Sequence, residues 1–163
     1  MIQPTIHEAA RDGDVEKLKQ FLKRNPADVD SVDKSSCPWT PLFYVARANE
    51  LEAAKVLIDH KATIDKKDIY GATAMHVAAQ NDSKEVLAFL LDNGADIHAL
   101  DSDGESALMR AVYRNKLSCV KLLLERKADL TMRAKSGRFL RKNGELEYSL
   151  SLLPELWTKQ RWR

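Results

Sequence analysis

The chain has 163 residues, 44% of them hydrophobic and 31% charged, with only six Gly and five Pro, which excludes a disordered or collagen-like chain and fits one domain with a sizeable core. Its formal net charge of +2 selects no class of partner, although residues 133–163 hold eight Lys/Arg against three Glu and leave −3 on the other 132. Two cysteines, Cys37 and Cys119, exclude a disulfide framework, and no apolar run reaches the ~18 residues that span a bilayer. Residues 1–14 contain no apolar signal-peptide core, so the cytosol or nucleus is the expected compartment.

From Thr40 the chain repeats itself, and internal repetition is the first signal to read. Thr40-Pro41-Leu42, Thr73-Ala74-Met75 and Ser106-Ala107-Leu108 are spaced by 33 residues. So are Val56-Leu57-Ile58, Phe89-Leu90-Leu91 and Leu122-Leu123-Leu124, and again Ala62-Thr63-Ile64, Ala95-Asp96-Ile97 and Ala128-Asp129-Leu130. Each unit predicts two short helices. The first opens at Thr40, Thr73 or Ser106, whose hydroxyls cap free amides at a helix start. Its Ala46, Ala78, Ala79 and Ala111 let neighbouring helices approach closely. The second helix buries the aliphatic triplet. In the middle unit it closes at Gly94, where a left-handed backbone costs little. Lys61 and Lys127 stand in the equivalent places and are expected to carry backbone strain. A loop turning at Tyr70-Gly71 and Asp103-Gly104 leads to the next unit.

Beyond Ala134 the pattern decays. Residues 135–140 keep the register of a loop and a helix start, but Asn143-Gly144-Glu145 falls where small residues should pair. Leu146, Leu150, Leu153 and Trp157 share one face of a helix expected from Glu145 to Trp157, with a break at Pro154. Two readings stand: an atypical end cap over the last unit's apolar face, as a solenoid requires, or a helix for a second partner.

The stretch Asp68-x-x-Gly71-x-Thr73-x-x-His76-x-Ala78-Ala79, followed by Leu90-Leu91-x-x-Gly94-Ala95-Asp96, resembles the ankyrin repeat. Residues 6–14, with Phe21-Leu22, resemble that family's N-terminal capping repeat. The resemblance covers about residues 4–135. It implies an all-α solenoid of stacked helix-turn-helix units with projecting fingers: a cap at 1–35, repeats at 36–67, 68–100 and 101–134, a degenerate start at 135–144, and a basic amphipathic cap or tail at 145–163. It also implies that His7 and His76 tie a helix to the neighbouring loop.

Catalytic and cofactor chemistry finds little support. His7, His60, His76 and His98 form no His-x-x-x-His spacing, and no Cys-x-x-Cys exists, so no metal is expected. Gly-x-Gly-x-x-Gly, Gly-x-x-x-x-Gly-Lys and Gly-x-Ser-x-Gly are all missing. Ser36, Pro38 and Trp39 offer Cys37 no base, which leaves it a surface thiol. Asp68 and Asp101, one repeat apart, read as loop-capping residues and not as an acid/base pair.

The resemblance places a partner on a concave surface of finger tips and first-helix faces. Position by position, the tips are Ser36, Cys37 and Trp39; Ile69, Tyr70 and Ala72; and Ser102, Asp103 and Glu105. Arg11, Asp12, Arg47, Ala48, Gln80, Asn81, Tyr113 and Arg114 lie on the helix faces, and Lys67, Leu100 and Arg133 at the finger bases. Among these, Trp39, Ile69, Tyr70, Leu100 and Tyr113 are expected to face solvent, flanked by Arg47 and Arg114. Aromatic residues and Arg are the usual hot-spot types. With Gln80, Asn81, Asp103 and Glu105 they make up the candidate partner-binding set. His98 follows Asp96-Ile97 at a position where the resemblance implies modification by an asparaginyl hydroxylase.

The expected function is therefore a monomeric, non-enzymatic module that binds another protein as adaptor or inhibitor, with no cofactor, small-molecule substrate or membrane. The alternative is a substrate-recruiting subunit whose 145–163 tail docks a larger complex such as a ubiquitin ligase; Leu153-Pro154-Glu155-Leu156 resembles the opening of an F-box. A nucleic-acid partner rests only on the basic tail with Trp157 and Trp162, and would show a steep salt dependence.

Overall fold

A computed structural model describes residues 5–36, 38–132, 134–135, 141–142 and 145–146. Its helices come in pairs: α1 (Ile6–Arg11) with α2 (Val15–Arg24), α3 (Pro41–Ala48) with α4 (Leu51–Asp59), α5 (Ala74–Asn81) with α6 (Lys84–Asp92), and α7 (Ala107–Tyr113) with α8 (Leu117–Glu125). The first helices α1, α3, α5 and α7 pack side by side in one row, and α2, α4, α6 and α8 in a second row behind it. The fold is an all-α solenoid. A 3₁₀ turn at Pro26–Asp30 occupies part of the first connection, which at residues 25–40 is two residues longer than its equivalents at 60–73 and 93–106.

Small residues set the spacing of the first row. Ala46, Ala78, Ala79 and Ala111 are all 0% exposed, so the helix backbones come close at these points. Leu57, Leu90 and Leu123, at the centre of each aliphatic triplet, are completely buried between the rows. The helix starts divide. Ser106 accepts the Met109 amide at 3.3 Å. Thr40 makes no such bond, and its carbonyl takes the Phe43 amide at 3.1 Å instead.

The left-handed positions follow the repeat. Gly94 has φ +90, and Lys61 and Lys127 are held at φ +67 and +63. A Cβ in that region crowds the following carbonyl. Lys61→Gly and Lys127→Gly should each stabilise the chain by about 0.5–1 kcal/mol, the strain relieved less the extra freedom of unfolded glycine. Urea midpoints that move down would contradict the strain. A second series, absent from the sequence expectations, separates the helices of each pair: Asn49, Asp82 and Asn115 at φ +60, +63 and +55. Asn and Asp tolerate this region best among residues with a side chain.

Carboxylates clasp successive units behind the fingers. Asp30 accepts the Thr63 amide (3.0 Å) and hydroxyl (2.5 Å), and Asp65 accepts the Asp96 amide at 3.2 Å. The next position in this series, 33 residues beyond Asp65, is His98, and no side chain bonds the Asp129 amide there among the described residues.

At the C-terminal side the expectation needs correction. Arg141–Lys142 (β1) and Glu145–Leu146 (β2) form a short antiparallel pair, so the helix expected from Glu145 does not begin there. Glu145 and Leu146 gain backbone partners in this pairing that a first helical turn would leave them without. The rest of the 145–163 segment lies outside the described residues, as do Cys37 and Arg133.

Candidate protein-interaction surface

Each finger is built on one aspartate. Oδ1 of Asp68 accepts the Tyr70 and Ala72 amides, both at 2.9 Å, and Oδ1 of Asp101 accepts those of Asp103 and Glu105 at the same distance. In the first finger Asp33 accepts the Ser35 amide at 2.8 Å. These short side-chain-to-backbone bonds fold the finger into a turn and confirm the loop-capping role. The second oxygen finds a different donor each time. Tyr44 donates its hydroxyl to Asp33; Trp39 Nε1 donates to Asp68 at 3.2 Å; Arg110 donates Nε and Nη2 to Asp101 at 3.0 and 2.7 Å. Burial, then the Asp33 carboxylate, push the Tyr44 phenol up to about 12, so it remains a donor.

Successive fingers also join through the backbone. The Ser102 amide donates to the Tyr70 carbonyl at 2.9 Å, and the Lys135 amide to that of Asp103 at 2.8 Å. Gly71 makes room for the first of these: a Cβ there would lie 2.8 Å from the Ser102 nitrogen, and its φ of +71 disfavours any side chain.

The two repeat histidines behave as the resemblance implied. Nε2 of His7 lies 2.9 Å from the Ser31 carbonyl, and Nε2 of His76 lies 3.1 Å from that of Glu105. Nδ1 of His76 accepts the Thr73 amide at 3.2 Å, so the proton of the neutral ring sits on Nε2 and is donated to the finger. Burial, with a smaller push from Arg110, brings His76 down to about 4. Because an unfolded histidine binds its proton near 6.5, the stability this neutral ring contributes is complete above that pH and is lost as pH falls from 6.5 toward 4. The loss is on the order of 3 kcal/mol. Urea midpoints at pH 7 and pH 4.5 measure it, and His76→Gln should remove this part of the slope; a wild-type midpoint flat across the window would contradict a buried neutral ring.

The sequence-derived surface splits in two. Ile69 (57% exposed), Tyr70 (56%) and Leu100 (36%) do present apolar area to solvent on the fingers, and Asp103, Arg47, Asn81 and Arg114 are exposed as expected. Trp39 and Tyr113 are not free solvent-facing groups. Trp39 is half-buried, stacks on Phe43 at 5.6 Å, meets Tyr44 edge-on at 5.6 Å and is held by Asp68. Tyr113 is half-buried against the core. Both rings gain more by covering apolar neighbours than by pointing outward. Gln80 and Glu105 are half-buried too, and Gln80 accepts from Arg110 at 3.2 Å. Ala72, placed at a tip by position, is buried beneath it at 1%. His98 is exposed, with its amide on Asp96 at 2.9 Å.

Val32, 52% exposed at the base of the first finger, was missed. Aligning Ala27-Asp28-Val29 with Ala62-Thr63-Ile64 puts Val32 in register with Lys67 and Leu100, a signal hidden by the longer first connection. Among the described residues no group of three or more His, Cys, Asp and Glu could hold a metal, and no helix is long and apolar enough to cross a membrane. Cys119 is buried, and that burial, with Asp82 beside it, pushes its thiol up to about 12, which leaves it unreactive.

Comparison with known proteins agrees with this architecture. A family model described as ankyrin repeats (3 copies) matches residues 6–101, and a second, ankyrin repeats (many copies), matches residues 90–139. The chain is 33% identical over 79 residues to a transient receptor potential cation channel subfamily A member 1 homolog of Caenorhabditis elegans, covering 48% of this chain and 6% of that one. A putative ankyrin repeat protein of Rickettsia bellii is 33% identical over 78 residues, 46% of each chain. Human inversin is 36% identical over 75 residues, 46% of this chain and 7% of its own. The chain thus spans less than half the length of each of these relatives.

Proposed function

The chain belongs to the ankyrin-repeat family, a family of protein–protein interaction modules, and from that premise we propose that it binds a protein partner across its fingers and first helices, as a non-enzymatic adaptor or inhibitor. One observation carries the placement: Ile69 and Tyr70, adjacent at the middle finger, are each more than half exposed. Large apolar side chains held on a rigid turn lose little freedom on binding and release water from a sizeable area. The Asp68 bonds and the Ser102 amide hold that turn in place before any partner arrives.

The test uses Ile69→Ser with Tyr70→Ala. Neither side chain belongs to the core, so the melting temperature should barely move while affinity falls tenfold to a hundredfold. Trp39 and Tyr113 are left intact, because truncating them would disturb packing. Lys55→Glu and Lys121→Glu, on the second row of helices, serve as the control. Proteins captured from cell lysate by wild type and control but lost by the finger variant are the partners sought. If the control loses them and the finger variant keeps them, the partner uses the opposite face.

A further inference from the structure

Among the described residues, the large apolar side chains exposed to solvent all lie on the fingers: Val32 and Leu100 at the bases of the first and third, Ile69 and Tyr70 on the middle one. The first helices beside them present a different chemistry. Arg47 on α3 and Arg114 just after α7 are exposed, and neither pairs with a carboxylate among the described residues. Between them on α5, Gln80 gives its side-chain carbonyl to Arg110 and keeps its amide N–H groups to donate.

Nothing nearby neutralises the two arginines. Helices α3, α5 and α7 contain no acidic residue. The acids that follow α3 and α5 turn away, Glu50 over Gly13 and Asp82 to the Cys119 amide. Asp12, at the end of α1, is matched by Arg11 at 2.8 Å, and Asp101 by Arg110 at 2.7 Å. Asp68 spends Oδ1 on two finger amides and its other oxygen on Trp39. A cation near a helix C-terminus is favoured by the helix dipole, but α5 ends in Gln80-Asn81 without one, so the stack does not require it.

Two walls of unlike chemistry therefore meet along the stack, an apolar one on the fingers and a cationic, donor-rich one on the first helices. We infer that the occupant is an acidic amphipathic segment of another protein. Its large apolar side chains lie against Ile69 and Tyr70, and its Asp or Glu side chains meet Arg47 and Arg114. The inference rests on the finger-and-helix reading above and adds the chemistry of the partner. An arginine fork holds a carboxylate by two parallel bonds, and the apolar contact beside it keeps water and salt from screening the pair. A nucleic acid would find the arginines but no use for the aliphatic Val32, Ile69 and Leu100, and the exposed Asp103 would repel its phosphates.

Arg47 and Arg114 stand two packed helices apart, roughly 20 Å. Random peptides of about 16 residues span that distance either extended or helical. Such peptides, displayed on phage, are selected on the immobilised full chain. Those enriched should combine large apolar residues with Asp and Glu, and should weaken as NaCl rises from about 0.05 to 0.5 M. Arg47→Gln with Arg114→Gln should lower their affinity about tenfold with melting near that of wild type, since both positions are exposed. Exchanging their acids for Lys should restore binding to Arg47→Glu with Arg114→Glu. Peptides lost with Ile69→Ser and Tyr70→Ala but without acidic bias, or indifferent to the arginine variants, would overturn the acidic partner and leave the finger site standing. Peptides indifferent to Ile69→Ser with Tyr70→Ala would overturn the finger reading itself, and this inference with it. Enrichment of no peptide would also overturn the inference, as would tighter binding of a single-stranded oligonucleotide that is lost with the arginines.

Discussion

Ala78→Arg should abolish cooperative folding, and Ala111→Arg should do the same. Both alanines are 0% exposed within the packed helices. A guanidinium placed there either forces neighbouring helices apart or stays between them unsolvated and without a counter-charge. Overpacking alone costs about 1–3 kcal/mol, and a buried unpaired charge costs several more. The sum is comparable with the whole stability of a domain, about 5–15 kcal/mol. Circular dichroism should show lost or non-cooperative melting, with helical signal much reduced. A wild-type melt in both variants would mean that the repeat register is wrong.

The second large effect belongs to Asp101→Ala. The Asp101 side chain is 1% exposed, and its carboxylate serves two finger amides and the Arg110 guanidinium. Burial works to raise its pKa, but the Glu105 amide and Arg110 outweigh it and hold the group ionised. Removing the carboxylate strands a largely buried cation and two amides at once, a loss of about 3–5 kcal/mol. Asp101→Asn should cost less, because its carbonyl still accepts both amides. Adding Arg110→Met to Asp101→Asn should recover part of the loss, since no uncompensated charge then remains. Asp68→Ala, whose second oxygen faces only the neutral Trp39 indole, should cost about 1–2 kcal/mol. Chemical denaturation ranks the four; equal losses at Asp68 and Asp101 would remove Arg110 from the account.

The repeat was legible because packing enforces it. The same 33-residue spacing that aligns the Leu57, Leu90 and Leu123 side chains also fixes the alanines opposite them. Even the strained Lys61 and Lys127 could be read, since a helix that must end at a fixed place forces its backbone on whichever residue stands there. The orientation of Trp39 and Tyr113 could not. Periodicity tells which face of a helix a residue occupies, but not whether a neighbouring finger folds over it. Trp39 is claimed by Asp68, 29 residues away, a pairing that arises because Val77 takes the place filled by Tyr44 and Arg110 in the flanking units and has no donor to offer. The left-handed Asn49 and Asp82 were visible as spacing, but their side chains accept amides of the next unit, Val86 and Cys119, which spacing alone does not show.

The clasps behind the fingers have a mechanical consequence. Asp30 and Asp65 fasten the first two joints of the stack, and His98 stands in their place at the third. Under tension applied to its two ends, every joint of such a stack carries the same force, because each unit is held only by its neighbours. The third joint resists it through other bonds, those of His76, Asp82 and Arg126, and not through a carboxylate behind the fingers. Parting that joint would also break the Ser102–Tyr70 bond, so the middle finger that presents Ile69 and Tyr70 would lose one of its own supports.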